Sequence, residues 1–327
     1  MAAKFACALA LAGALSAWCV ETADAQADYP TRQIEVVVPF PAGGATDVIA
    51  RISSRIVSEK LGQPVVIQNK AGATGAIGSE YVAKAKPDGY TLLVATASTH
   101  AVLPAYRTDL PYDTVKSFAA VTLLATFPNL LVVNPKKVPS KTVPEFIEYL
   151  KSQPGKINFA SSGSGSSLHF AGELFKLMSK TNMQHIPYRG SAPALNDLLA
   201  GNVDLVFDNM TTVLPQVREG RLRALGVASL KRTPLAPDIP AIAETLPGFE
   251  ATSWVGVVGP AGVPAPILNR LAAAFHAAMA DPEVVTRLKA LGATPETDTP
   301  AEFQQFILAD RTKWTKLAKE AHIVQEK

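Results

Sequence analysis

Ile34-Glu-Val-Val-Val-Pro-Phe-Pro-Ala-Gly-Gly-Ala-Thr-Asp47 passes, within 14 residues, from a β-branched run through a Pro/Gly loop into a helix start. Ile34 to Pro39 reads as a buried strand. Asp47 to Leu61 then places Val48, Ile49, Ile52, Ile56 and Val57 on one helical face, and Gly62 stops it. Val65 to Gln68 is the next strand, and Gly72 to Lys84 a helix with a glycine-rich start. Pro87-Asp88-Gly89 turns the chain into the strand Tyr90 to Ala95. This β-α-β-α-β order predicts a largely parallel sheet with helices on both faces.

A second series follows. Helix Thr142 to Lys151 leads to strand Ile157 to Ala160, and the Ser/Gly run Ser161 to Ser167 opens a helix reaching Lys180. Strand Gln184 to Pro187, helix Pro193 to Ala200, strand Val203 to Phe207, a helix through Glu219 and strand Leu222 to Ser229 complete it. The Pro-rich stretch Thr233 to Gly248 breaks the rhythm before strand Ser253 to Val258 and three helices ending near Ala321. With this tail docked on the first series, residues 26–123 and 251–327 form one discontinuous lobe and residues 124–250 the other. Crossings near Leu123 to Val132 and Thr245 to Ser253 then form a hinge.

The chain starts as an export signal over residues 1–25. Lys4 gives a basic start, Phe5 to Val20 is apolar, and Ala23-Asp24-Ala25 supplies the small residues a signal peptidase needs. That apolar run of 16 residues is short of the roughly 20 that span a membrane. Cleavage after Ala25, with Ala27 the alternative, predicts a periplasmic protein. Cys7 and Cys19 both lie in the leader, so the mature chain is expected to have neither disulfides nor thiolate chemistry. With Lys4, Glu21 and Asp24 set aside, 30 basic and 26 acidic residues remain, spread without a basic run of the kind nucleic acid demands. The five histidines have no metal-ligand spacing, and no metal or cofactor is expected.

Both series share one device: a strand, a glycine-rich loop and a helix N-terminus. In the first the loop is Pro39 to Asp47, in the second Ala160 to Ser167. Glycine lets backbone approach a ligand closely, and a first helical turn offers unpaired N–H groups with partial positive charge. Such loops bind anions, and in open α/β sheets they lie where ligands collect. Facing lobes would make them opposing jaws. Thr46 and Asp47 also read as helix caps. Gly72 to Gly78 has the wrong spacing for a dinucleotide fingerprint, and no Walker lysine follows any glycine loop. His169 reads as a first-turn histidine that donates to a ligand or caps the loop. Asp208, at a strand end, anchors a loop or bound water or meets a cationic part of the ligand.

Val-Pro-Phe-Pro-Ala-Gly-Gly-Ala-Thr-Asp (38–47), Pro-Asp-Gly-Tyr-Thr-Leu-Leu (87–93) and Phe-Ala-Ser-Ser-Gly-Ser-Gly-Ser-Ser-Leu-His (159–169) resemble the Bug family of extracytoplasmic solute receptors. So do His-Ile-Pro-Tyr-Arg-Gly (185–190) and Asp-Leu-Val-Phe-Asp-Asn (204–209), in the family's order from Tyr29 to Trp314. The resemblance implies a type II periplasmic-binding-protein fold, two α/β lobes with two crossings that close on a carboxylate. It also implies delivery to the permease subunits of a tripartite tricarboxylate transporter. Phe40, Ala42, Gly43, Gly44, Ala45, Thr46 and Asp47 match its first loop; Ser162, Gly163, Ser164, Gly165, Ser166 and His169 match its second. Thr96, Ser98 and Thr99 match a strand-end segment facing the ligand, and Asp208 the strand-end aspartate. Ala45 departs from the glycine or serine common there, which weakens a side-chain bond but not a backbone cradle.

The resemblance leaves the solute open among di- and tricarboxylates, acidic amino acids and aromatic acids. A monomer is expected of a receptor that presents both lobes to a membrane partner. Two other functions use the same residues: a ligand sensor for a signalling receptor, and a hydrolase using Ser164 or Ser166 with His169. Against the hydrolase, Ser162-Gly163-Ser164-Gly165-Ser166 is not the Gly-x-Ser-x-Gly elbow, and no acid is placed to orient the histidine.

Overall fold

The computed structural model describes residues 29–320 and 323; the expected leader, residues 1–25, lies outside the described residues. Ten strands form one curled sheet: β1 Ile34–Val38, β2 Val65–Asn69, β3 Thr91–Thr96, β4 Phe118–Val133, β5 Asn158–Ser161, β6 Gln184–Pro187, β7 Leu205–Asn209, β8 Arg223–Val227, β9 Thr252–Pro260 and β10 Thr294–Pro295. Their order is β2-β1-β3-β9-β4-β7-β5-β6, with β8 and β10 also on β4. In the first half β2, β1 and β3 are parallel, and β9 runs against β3. In the second half β6, β5 and β7 are parallel, and β4 runs against β7. Each half therefore reads second, first, third, then an antiparallel strand, a repeat of topology without a repeat of sequence.

The spine is β4, which belongs to both halves. Phe118 to Pro128 pair with β9, and Asn129 to Val133 pair with β7. The chain passes between halves at Pro128/Asn129 and returns at Ala251/Thr252, where the Ala251 N–H still bonds Ala228 O while Thr252 pairs with Pro128. Register shifts at Ala120/Thr122 and Leu123/Ala125 bend β4. Bulges add twist, which lets one long strand serve two sheets that curl apart.

Helices α1 Ala45–Leu61, α2 Ala76–Ala83, α3 Leu103–Tyr106, α4 Val143–Ser152, α5 Ser167–Ser179, α6 Ser191–Ala200 and α7 Met210–Arg218 cover the sheet. The tail supplies α8 Ala265–Ala280, α9 Pro282–Ala290 and α10 Pro300–Glu320. Between β3 and α3, Ala97–Val102 forms a π-turn that hydrophobic periodicity did not signal. α8 packs on α1 and β4, and α10 packs on the π-turn and α3, so the tail belongs with the first half. It also reaches across: Trp314 of α10 lies 6.1 Å edge-on from Phe170 of α5. One buried cluster runs from Val37 and Leu93 through Trp314 to Phe159, Phe207 and Phe249, so the two halves share a core.

Candidate functional site

β1 delivers the first loop to the carboxyl end of the sheet. Gly43 adopts the left-handed region, φ +86°, which turns the chain so that α1 starts at Ala45 with Gly44 as N-cap and no side chain capping it. Gly44, Ala45 and Thr46 are buried, and their N–H groups have no protein acceptor among the described residues. Buried backbone donors are almost always paired, so this turn demands an acceptor from outside the chain.

The loop is held from behind. Asp47 accepts from the Gly43 N–H at 3.0 Å, from Arg51 Nε at 2.9 Å and from Asn69 Nδ2 at 2.9 Å. Asn69 Nδ2 also donates to Phe40 O, and Arg51 donates to Asn69 Oδ1. Burial pushes the Asp47 carboxyl up, but its bonds from Arg51, Gly43 and Asn69 and the Arg51 charge outweigh this and hold it below the usual range. Asp47 is thus a brace that fixes the loop's shape.

The second loop, between β5 and α5, closes on itself. Ser166 caps α5 by accepting from the His169 N–H at 3.1 Å. His169 Nδ1 accepts from the Gly165 N–H at 3.2 Å, and Ser161 Oγ from that of Gly163 at 3.1 Å. The His169 ring stacks on His185 at 3.9 Å, and His185 Nε2 lies 2.6 Å from Ser161 Oγ. Burial, with the neighbouring His185 and Lys176, drives His169 down to about 2; burial and Lys176 take His185 to about 4. Both rings are neutral near pH 7 and act as struts.

The halves touch across the cleft. Ser98 Oγ accepts from the Ser167 N–H at 3.0 Å, Ser167 Oγ lies 3.4 Å from Ser253 Oγ, and Ser253 Oγ donates to Asn129 Oδ1. Thr74 Oγ1 donates to Ser164 O at 2.7 Å. Behind Ser98, Thr96 and Thr99 bond reciprocally through side chain and N–H, and Thr99 meets His100 Nδ1 at 2.9 Å. Asp208, fully buried, accepts from Ser191 Oγ at 2.8 Å and the Asn209 N–H at 2.6 Å; burial, against these two bonds, lifts its carboxyl to about 7.

Between the halves lies a narrow cleft of mixed polar and apolar lining. Of the expected residues it is lined by Phe40, Gly44, Ala45, Thr46, Thr96, Ser98 and Ser162. Ala42, Gly43, Asp47, Thr99, Gly163, Ser164, Gly165, Ser166, His169 and Asp208 stand outside the lining, most of them shaping or bracing it. Sequence reasoning missed Phe127, Ser253 and Trp254 on the crossing strands β4 and β9, and Ser191 and Asn209 at the starts of α6 and α7. Ser191 follows a Tyr-Arg-Gly turn and Asn209 ends a buried strand. The strand-end rule that singled out Asp208 would have reached Asn209, whereas Ser191 opens α6 four residues after β6 ends at Pro187.

Residues 49–323 match the family described as the tripartite tricarboxylate transporter family receptor. The chain belongs to that family. The receptor is 39% identical to protein BugT of Bordetella pertussis over 294 residues, 89% of this chain and 90% of that one. Among solved structures, periplasmic binding protein BugD superposes with a TM-score of 0.87 at 36% identity, covering 91% of the receptor and all of BugD. An R. palustris protein solved with adipate superposes equally well, TM-score 0.87 at 37% identity, covering 90% and 98%. The receptor therefore has the type II periplasmic-binding-protein fold, as its motifs implied, and is a solute-binding protein of the Bug type. No helix among the described residues is long and apolar enough to cross a membrane.

Proposed function

We propose that the receptor, exported to the periplasm after loss of residues 1–25, captures a small organic carboxylate between its lobes as a monomer. It then presents the solute to the permease subunits of a tripartite transporter. One observation carries this reading. At the lobe interface the buried N–H groups of Gly44, Ala45 and Thr46 converge with the hydroxyls of Thr46 and Ser162, none partnered among the described residues. Hydrogen bonds to a charged group contribute about 1.5–3 kcal/mol each. These five donors together give about 7.5–15 kcal/mol, and after an association cost of at least about 4 kcal/mol the upper part of that range reaches the roughly 8 kcal/mol of micromolar binding without any cation. The BugD-like fold and the adipate bound by the R. palustris neighbour support the same ligand chemistry.

The lobes in this reading are residues 26–123 with 251–327, and 124–250, hinged where strand pairing switches at Pro128/Asn129 and Ala251/Thr252. The protein performs no catalysis. His169 takes the Gly165 N–H on Nδ1, and Ser166 takes the His169 N–H, so this pair is engaged in shaping the loop. The test is a thermal-shift and calorimetric screen of protein stripped of co-purified solute, against mono-, di- and tricarboxylates, aromatic acids and acidic amino acids. A selective rise in melting temperature for carboxylates is expected, since a solute bound only by the native state stabilises it. No shift from any of them overturns the proposal.

A further inference from the structure

Between β2 and α2 the chain turns at Gly72-Ala73-Thr74-Gly75, and all four φ angles are positive: +138°, +48°, +56° and +89°. The Gly75 N–H closes the turn on Gly72 O at 2.9 Å. Turns of this hand take Gly, Asn or Asp at their centre, because a left-handed side chain crowds the following carbonyl and a β-branched one fits worst. Here the centre is Ala73 and Thr74. Lys180, the one other non-glycine residue with positive φ among the described residues, stands at the C-cap of α5, where that conformation is ordinary. No side chain caps the strained turn. Its base is fixed all the same. A Cβ on Gly75 would lie 2.5 Å from Thr99 Cγ2 and 3.3 Å from Pro39 Cβ, so the turn is pressed against the π-turn and the end of β1.

Such strain persists only where the surroundings over-determine it, and here the compensation comes from the opposite half. Thr74 Oγ1 donates to Ser164 O at 2.7 Å, a partner 90 residues away. Two left-handed glycines, Gly163 at φ +129° and Gly165 at φ +76°, present that carbonyl. A Cβ on Gly163 would lie 2.7 Å from Thr74 Oγ1, and one on Gly165 2.5 Å from Tyr106. The 163–165 loop is thus seated in a socket of the first half, Gly163 against Thr74 and Gly165 against Tyr106, with no room for a side chain at either contact. Both glycines were expected to touch the solute. Neither lines the cleft, and the socket is what requires them.

We infer that this turn is a strained latch: the Thr74 hydroxyl holds the Ser164 carbonyl while the halves are together, and the turn relaxes when they part. The bond favours the closed form and the strain opposes it, so the latch retains a bound solute yet yields readily for release. The inference rests on the proposed closure of the halves over a solute, and not on that solute being a carboxylate.

The experiment measures the closed share directly. Spin labels go on Lys86→Cys and Lys156→Cys, exposed positions in opposite halves, in the exported form without residues 1–25, which has no cysteine of its own. Pulsed electron resonance gives the label separation in protein stripped of solute, and again with adipate, citrate, glutamate or benzoate in excess. The parent is expected to show two separations, one for each form. Wherever it does, Thr74→Ala, which loses the donor and keeps most of the strain, should shift the closed-to-open ratio at least about threefold towards open, as the loss of one neutral hydrogen bond would. Thr74→Ser, which keeps the donor without the β-branch, should match the parent or exceed it. Thr74→Gly, which loses donor and strain together, should fall between Thr74→Ala and the parent. An unchanged ratio in Thr74→Ala, or Thr74→Ser as open as Thr74→Ala, overturns the latch. Thr74→Gly as open as Thr74→Ala overturns the part assigned to strain. A parent with a single separation under every condition overturns closure and the latch together. Two separations that none of the four acids shifts count against the carboxylate reading alone, and the solute-free ratios of the variants still decide the latch.

Discussion

The loop that opens α1 and the loop that opens α5 are built from the same parts, a strand end, two glycines and a helix start, and their backbone donors meet opposite fates. In the first, an aspartate behind the loop ties down Gly43 and Asn69 and leaves the helix N-terminus bare. In the second, a serine cap, a histidine ring and a serine from the opposite half use most of the donors. On the proposed reading the first loop holds the solute, and the second is a finished surface that closes over it. Matching motifs therefore do not imply matching roles: what separates the loops is which acceptors the fold brings to them.

Glycine substitution separates the two most sharply. A Cβ on Gly165 would lie 2.5 Å from Tyr106 and 3.0 Å from Leu103, both on the opposite half. Gly165→Val is therefore expected to block closure and weaken binding by more than about 100-fold, since forced overpacking costs 1–3 kcal/mol or more and here also removes the closed state. Gly43 has nothing within 4 Å of its Cβ position, and only its φ of +86° resists a side chain. Gly43→Ala should weaken binding by about tenfold, from a left-handed strain of about 1–2 kcal/mol. Calorimetry, with circular dichroism to confirm folding, checks both, and equal losses would erase the distinction.

The two braces should divide next. Asp47→Ala removes the bonds to Gly43, Arg51 and Asn69 and is expected to lose about tenfold in affinity together with about 1–3 kcal/mol of stability. His169→Ala should cost similar stability, having left the Gly165 N–H unpaired, with a loss in affinity below about threefold because its loop holds little of the anion. Denaturant titration beside ligand titration reads the two terms separately.

A smaller effect is in pH. His169 and His185 are held far below 6.5, at about 2 and about 4, so the folded state binds fewer protons than the unfolded chain in acid. Their stability is intact above pH 6.5 and drains as pH falls through about 4. Asp208 has the opposite sign: raised to about 7, it favours the folded state below pH 3.8 and loses that advantage as pH rises towards 7. Melting temperature against pH should fall on the acid side, and His185→Phe should flatten that fall. The smallest change is expected from Ala45→Gly, within about twofold in affinity, because the cradle at this position is backbone.

Much of the fold was legible because its signals are local. β-branched runs, glycine punctuation and helical periodicity marked nearly every strand and helix to within a few residues. β4 was not read as one strand of 16 residues, because Pro128 interrupts its pattern and its two ends pair with different partners. The candidate site was half legible. Phe40, Gly44, Thr46, Ser98 and Ser162 came from loop motifs, whereas Phe127, Ser253 and Trp254 reach the cleft only because β4 and β9 cross between the halves there.

What the sequence by itself determined was the repeated strand, glycine loop and helix, since φ freedom and side-chain period belong to neighbouring residues. What only the tertiary structure decided was which of those loops keeps its donors. The Ser98 oxygen that occupies α5 comes from 69 residues away, and the Asp208 carboxyl that stands at α6 from 17. A hydrogen bond is settled by distance in space, and no local pattern records which distant acceptor will arrive.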